Sequence, residues 1–205
     1  MADSEFTHDW FSRAIPDWWR ELAPLAGAAD LQFAEVGVYE GRATVWLLRN
    51  VLTHPSARID CIDSFAWRSE DGRPAGTDMQ VIKHRFLSNI ELTGAASKVR
   101  LIEARSDDGL CALPTLSYDC IYIDGSHRAP EVLSDAVLSF RLLKPAGLLI
   151  FDDYHIDRSR GKEPSLDDPK LAIDAFLRIY AGRLEIVWAG YQMAVRRRAE
   201  DRVPG

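Results

Sequence analysis

From residue 31 onward, short apolar runs alternate with segments whose apolar residues fall at helical spacing. The runs Leu31–Val36, Arg58–Ile62, Lys98–Glu103, Tyr118–Ile123 and Gly147–Phe151 read as strands. Between and after them, Arg42–Leu52, Asp78–Leu92, Asp107–Leu113, Pro130–Leu142 and Pro169–Tyr180 read as helices, two of them opened by a proline at the first turn, where its missing N–H costs nothing. Strands that take turns with helices build βαβ units and a mostly parallel sheet with helices on both faces. The nearly continuous apolar strands fit a sheet covered on both sides. Leu184–Trp188 and Gln192–Arg196, joined tightly through Ala189-Gly190, predict an antiparallel hairpin at one edge. The expected class is therefore α/β with a Rossmann-like, mostly parallel sheet.

Ahead of the sheet, Phe6 to Gly27 carries Trp10, Phe11, Ile15, Trp18, Trp19 and Leu22 at helical spacing, with Pro16 expected to kink or divide the segment. The organisation read from the sequence is a helical N-terminal segment over 1–30 that packs on the core, one domain over 31–198, and a tail over 199–205. A chain of 205 residues suits that size.

In open parallel sheets ligands gather at the carboxyl ends of the strands, and here those ends are acidic. The first strand closes in Glu35-Val-Gly37, with Gly41 opening the next helix; the second stops at Asp63, the fourth at Asp124, and the fifth at Asp152-Asp153. Gly37 permits a tight turn and Gly41 a close helix start. The Gly-x-Gly-x-x-Gly turn of dinucleotide enzymes is absent, and a carboxylate stands where pyrophosphate would be repelled, which disfavours a nicotinamide oxidoreductase. An acid at the end of the second strand can hold the ribose hydroxyls of a nucleoside. Asp124, Asp152 and Asp153, on the tips of neighbouring central strands, form an oxygen-only set suited to a hard cation such as magnesium. Adjacent strand residues point to opposite faces, so both aspartates of the pair can meet one ion only if the chain bends after Phe151. His127, three residues past Asp124, is placed to act as a general base near neutrality; His155 is its rival, and His8, His54 and His84 read as surface or packing residues.

These residues resemble a known family. Glu35-Val-Gly37 through Gly41, Asp63, Asp124-Gly-Ser-His127 and Asp152-Asp-Tyr154 are similar to the class I methyltransferases that use S-adenosylmethionine (SAM), and more narrowly to the bacterial macrolide-sugar and cephamycin-type O-methyltransferases. The resemblance, from about Phe33 to Arg196, implies a seven-stranded sheet, SAM as donor and Mg2+ as metal. It implies that Glu35, Gly37, Gly41 and Thr44 line the methionine end of SAM, that Asp63 binds the ribose, and that Arg105 and Ser106 flank the adenine. It implies that Asp124, Asp152 and Asp153 hold the metal, Asp124 also bordering the cofactor, and that His127 is the base. The expected activity is transfer of a methyl group to a hydroxyl of a small molecule. The alternatives are metal-independent methylation of a carboxylate or amine, and a non-catalytic SAM-binding protein. The loops Ser64–Thr77 and His155–Asp168 would cover the acceptor, with Trp67 as an aromatic wall.

Charge and composition restrict the partners. A net charge of −6 disfavours nucleic acid, whose phosphates need a basic face; Arg196, Arg197 and Arg198 read as a solvated chain end. No apolar stretch is long enough for a membrane span, and no signal core stands at the N-terminus. The three cysteines, Cys61, Cys111 and Cys120, form no Cys-x-x-Cys pair, which suggests a reducing compartment and a cytoplasmic protein. A symmetric homodimer is the assembly that base rates favour.

Overall fold

The computed structural model describes residues 4–66, 77–155 and 166–201. Seven strands form one sheet in the order β3-β2-β1-β4-β5-β7-β6. They are β1 (Gln32–Val36), β2 (Arg58–Ile62), β3 (Val99–Ile102), β4 (Tyr118–Ile123), β5 (Leu143–Phe151), β6 (Leu184–Ala189) and β7 (Met193–Arg197). β1 to β5 run parallel, and β7 pairs antiparallel with both β5 and β6. The strand order reverses between β1 and β4, and a crevice opens there at the carboxyl ends.

Side-chain alternation sorts the strand residues into two cores. Phe33, Cys61, Tyr122, Leu148 and Ile150 pack with residues of α1 (Ile15–Leu22), α2 (Arg42–Asn50) and α3 (Met79–Glu91) on one face. Ala34, Val36, Ile121, Leu149 and Phe151 pack with α4 (Ser106–Cys111), α5 (Ala129–Leu142) and α6 (Pro169–Tyr180) on the other. Asp78 caps α3 by accepting from the Gln80 and Val81 amides, and Asp168 caps α6 by accepting from the Lys170 amide. Each cap satisfies donors that a helix start leaves open.

Three local expectations need correction. Phe6 to Phe11 is not helical: the chain first turns at Ser12–Ala14, and Pro16 begins α1 instead of dividing a longer helix. Tertiary bonds override the spacing, since the Thr7 amide and hydroxyl both donate to Glu40 and the Glu5 amide donates to Asn89. β5 starts at Leu143, four residues early, because an irregularity at Lys144–Gly147 lets Leu143 pair with Tyr118 before the regular register resumes at Leu148. The three C-terminal arginines are not a solvated end. Arg197 is 1% exposed, bonds the carbonyl of Leu143 and pairs with Asp201, while Arg196 pairs with Glu21 and Arg198 with Glu185.

One buried charge site carries a stability prediction. On α5, Asp135 is 1% exposed and neither carboxylate oxygen has a hydrogen-bond partner among the described residues. Burial pushes its carboxyl up to about 7 from 3.8, with the Asp107 charge adding to it. The folded state therefore keeps a proton that the unfolded chain releases. Relative to an uncharged residue, stability falls as pH rises from about 4 to about 7, by up to about 1.4 kcal/mol per pH unit. Asp135→Asn should raise the melting temperature at pH 8, with the gain shrinking toward zero at pH 4. A pH series of thermal unfolding checks this; an equal gain at both ends would place the effect in packing.

Candidate active site

The turn after β1 is pressed against β4. The Asp124 amide donates to the Val36 carbonyl and the Gly37 amide to the Ile62 carbonyl. Gly37 has φ +81°, and a Cβ there would lie 2.3 Å from the Asp124 carbonyl oxygen, so only glycine fits. Asp63 ties this turn to the loop after β2: its Oδ2 accepts from the Val38 and Tyr39 amides and its Oδ1 from the Phe65 amide. A cleft of about 580 Å³ follows the carboxyl ends, bordered by Gly37, Asp63, Arg105, Ser106, Gly125 and Glu131 among others. Gly37, Asp63, Arg105 and Ser106, singled out in the sequence, thus share one cavity.

Thr44 and Gly41 have structural partners of their own, while Glu35 reaches a cavity described below. Thr44 has no exposed surface, and its hydroxyl donates to Glu35 Oε2 at 2.6 Å. It lies behind Glu35 and not on a cavity wall. Burial pushes the Glu35 carboxyl up to about 8, with the Asp63 charge adding to it and the Thr44 bond opposing it. Burial thus favours the uncharged form of this side chain beneath the turn. Gly41, also at φ +81°, begins α2, and a Cβ there would meet the Phe86 ring at 2.8 Å. The ring of α3 claims that space, which explains the glycine without any ligand.

The carboxylates of Asp124, Asp152 and Asp153 converge, with one oxygen from each lying within 4.8 Å of the others. The bend that this requires is present, since Asp153 follows β5 with φ +56°. Burial first, then the charges of Asp152 and Asp153, hold the Asp124 carboxyl far above the usual range. Burial and the Asp153 charge do the same to Asp152. Three carboxylates this close repel each other's ionisation, and a cation among them would relieve it. The donor set, all oxygen, fits a hard divalent ion. His127 joins the group: its Nε2 lies 2.6 Å from Asp153 Oδ2, while its Nδ1 is buried with no partner among the described residues. His155 is exposed and lies tilted against the Tyr154 ring, outside the cluster.

A second cavity, of about 430 Å³, has Glu35, Tyr122, Asp124 and Asp152 on its lining, opposite Phe6, His8, Trp10, Phe11 and Tyr39. His8 stacks on Trp10 at 4.7 Å, and Trp10 meets Tyr39 at 5.3 Å. The N-terminal segment therefore reaches the candidate site, and His8, read as a surface or packing residue in the sequence, lines it. Trp67 and most of the two loops expected to cover the acceptor lie outside the described residues. Sequence reasoning missed Tyr122, Tyr191 and Gln192, which bond the carboxylates. A glutamine at the head of an apolar strand was the available signal.

No helix among the described residues is long and apolar enough to cross a membrane. A family profile described as a methyltransferase domain matches residues 34–154, more than half of the chain. In sequence, the chain is 28% identical over 132 residues to an uncharacterised protein of Acanthamoeba polyphaga mimivirus, covering 61% of this chain and 52% of that protein, so it spans about half the length of the curated relative it matches. In structure, it is similar to the O-methyltransferase TomG of Streptomyces achromogenes, solved with SAM, with TM-score 0.61 at 17% identity over 82% of this chain and 73% of that one. It is also similar to an O-methyltransferase of Bacillus cereus solved with SAH, with TM-score 0.66 at 18% identity over 94% and 84% of the two chains. The matched segment runs from β1 through the Asp152–Tyr154 turn and so contains every acidic strand tip of the crevice, and the chain belongs to the methyltransferase-domain family with the class I, Rossmann-like fold.

Proposed function

We propose that this protein transfers a methyl group from SAM to a hydroxyl oxygen of a small molecule, with Mg2+ on its carboxylate cluster. The observation that carries this reading is the convergence of Asp124, Asp152 and Asp153, two of them on the wall of the second cavity, at the strand tips that neighbour the cleft bordered by Asp63, Arg105 and Ser106. In this reading the nucleoside half of SAM occupies that cleft, with Asp63 toward the ribose and Arg105 and Ser106 beside the adenine. The methionine end and the acceptor meet in the second cavity, where the aromatic wall of Trp10, Phe11 and Tyr39 faces Asp124 and Asp152. Aromatic walls suit a small, flat acceptor, and the net charge of −6 argues against nucleic acid in that place.

SAM supplies a methyl group already activated by its sulfonium. A divalent ion held by Asp124, Asp152 and Asp153 would favour the ionised form of the acceptor oxygen. The chain itself must align the acceptor, exclude water and take a proton. Asp153 lies against His127 Nε2 and so favours the tautomer with its proton there, leaving the lone pair on Nδ1. The acceptor's hydroxyl proton would pass to Nδ1 as its oxygen takes the methyl carbon, the bond from that carbon to sulfur breaking to release SAH.

The test is calorimetric titration of SAM into the protein with and without Mg2+, followed by methyl transfer to hydroxylated aromatics. Saturable one-site binding, with turnover that a chelator abolishes, is expected. Failure to bind either SAM or SAH would overturn the reading. Turnover indifferent to chelation would replace it with metal-independent transfer.

A further inference from the structure

Each carboxylate of the acidic cluster accepts a hydrogen bond from an uncharged side chain. Asp124 Oδ2 accepts from the Tyr122 hydroxyl at 3.0 Å, Asp152 Oδ1 from Gln192 Nε2 at 2.8 Å, and Asp153 Oδ1 from the Tyr191 hydroxyl. No lysine or arginine among the described residues pairs with Asp124 or Asp152. Two of the three donors come from the turn between β6 and β7, which otherwise has no part in the site. Neutral donors orient a carboxylate without cancelling the charge that a cation needs.

Those donors are in turn held by the N-terminal helical segment. Trp18 has no exposed surface, and its Nε1 donates to Gln192 Oε1 at 2.7 Å. An indole N–H can only donate, so it fixes which end of the Gln192 amide faces it and leaves Nε2 for Asp152. The same indole stands edge-on to the Tyr122 ring at 4.8 Å. Arg13 lies over the Tyr191 ring, 3.3 Å from its centre. Core packing alone would explain a buried tryptophan, but not an amide locked with its donor end on a cluster carboxylate.

We propose that Trp18 and Gln192, with Tyr122 and Tyr191, are positioning residues that set how tightly the Asp124–Asp152–Asp153 cluster holds a divalent cation. The inference rests on the metal reading above and adds to it a role for α1 and the β6–β7 turn. Without the indole N–H, the Gln192 amide is free to turn its oxygen toward Asp152, which repels that carboxylate and disorders the set.

The test compares Mn2+ binding by calorimetry in the whole protein and in two variants. Trp18→Phe keeps a buried ring and removes the N–H; Gln192→Met keeps length and removes the amide. Both should weaken Mn2+ about 10- to 100-fold, the range expected when an outer partner of a metal ligand is lost. SAH affinity should stay near the wild-type value, because neither residue borders the Asp63 cleft. If Gln192→Met does not fold, Trp18→Phe decides alone. Wild-type Mn2+ affinity in the folded variants would overturn the positioning role while leaving the metal reading standing. Absence of Mn2+ uptake by the wild-type protein would overturn both.

Discussion

Asp124→Asn should cut methyl transfer by about 100-fold or more and leave SAM affinity within a few-fold of wild type. Removing a ligand that helps stabilise charge on the acceptor oxygen forfeits several kcal/mol at the transition state, and each 1.4 kcal/mol is about tenfold in rate. Asp63 and the residues after β3 that border the cleft are untouched by the change. The same substitution should not destabilise the fold. Burial and its acidic neighbours oppose ionisation of the Asp124 carboxyl, so an amide of the same shape replaces it without leaving a charge that the fold must accommodate. Activity and melting temperature are then expected to move in opposite directions. Turnover, SAM calorimetry and thermal unfolding of one variant check all three points. Parallel loss of SAM affinity and turnover would count against a metal role for Asp124, and a fall in melting temperature would show that its role is structural.

His127→Ala is expected to lower turnover at neutral pH by about 10²- to 10⁴-fold, the range that a positioned general base contributes. Its ring touches Asp153 through Nε2 and borders a small cavity with Asp124 and Ser126. The diagnostic readout is the pH–rate profile. A wild-type limb that rises with pH should be lost in the variant, whose residual rate would follow hydroxide or the acceptor's own ionisation. An unchanged profile would reject His127 as the base even if the rate fell. Asp153→Asn is the companion, because an amide at that position no longer selects the tautomer with the lone pair on Nδ1.

The fold was legible because its signals are local. Apolar runs of strand length, prolines at helix starts and acids at strand tips are read residue by residue, and their alternation gave the mostly parallel sheet with its antiparallel edge. The acidic tips were legible for the same reason: Asp63, Asp124 and Asp152-Asp153 each stop a strand. What could not be read depends on contacts between distant segments. The extended course of residues 5–9 follows from bonds to Glu40 and Asn89. Thr44 was assigned to the cofactor through the family resemblance, yet its direction is set by Glu35 on another element. Gly41 resembled a ligand-approach glycine, while the Phe86 ring that requires it lies on α3. Gln192 and Trp18 were visible only as a strand residue and a core aromatic, because their meaning lies in each other.

That last pair also bears on the order in which the molecule can be completed. The bond between Trp18 and Gln192 joins residues 174 apart. A chain emerging from the ribosome presents its N-terminal parts first, and contacts of such long separation close late. The glycine turn, Asp63 and the third strand can assemble while the final hairpin is still unmade. Asp124, Asp152 and Asp153 then face one another without Tyr191 or Gln192, which lie two residues or fewer before the start of the last strand. The braced acidic centre is thus a property of the finished chain, and the growing one carries its carboxylates before it carries the side chains that hold them.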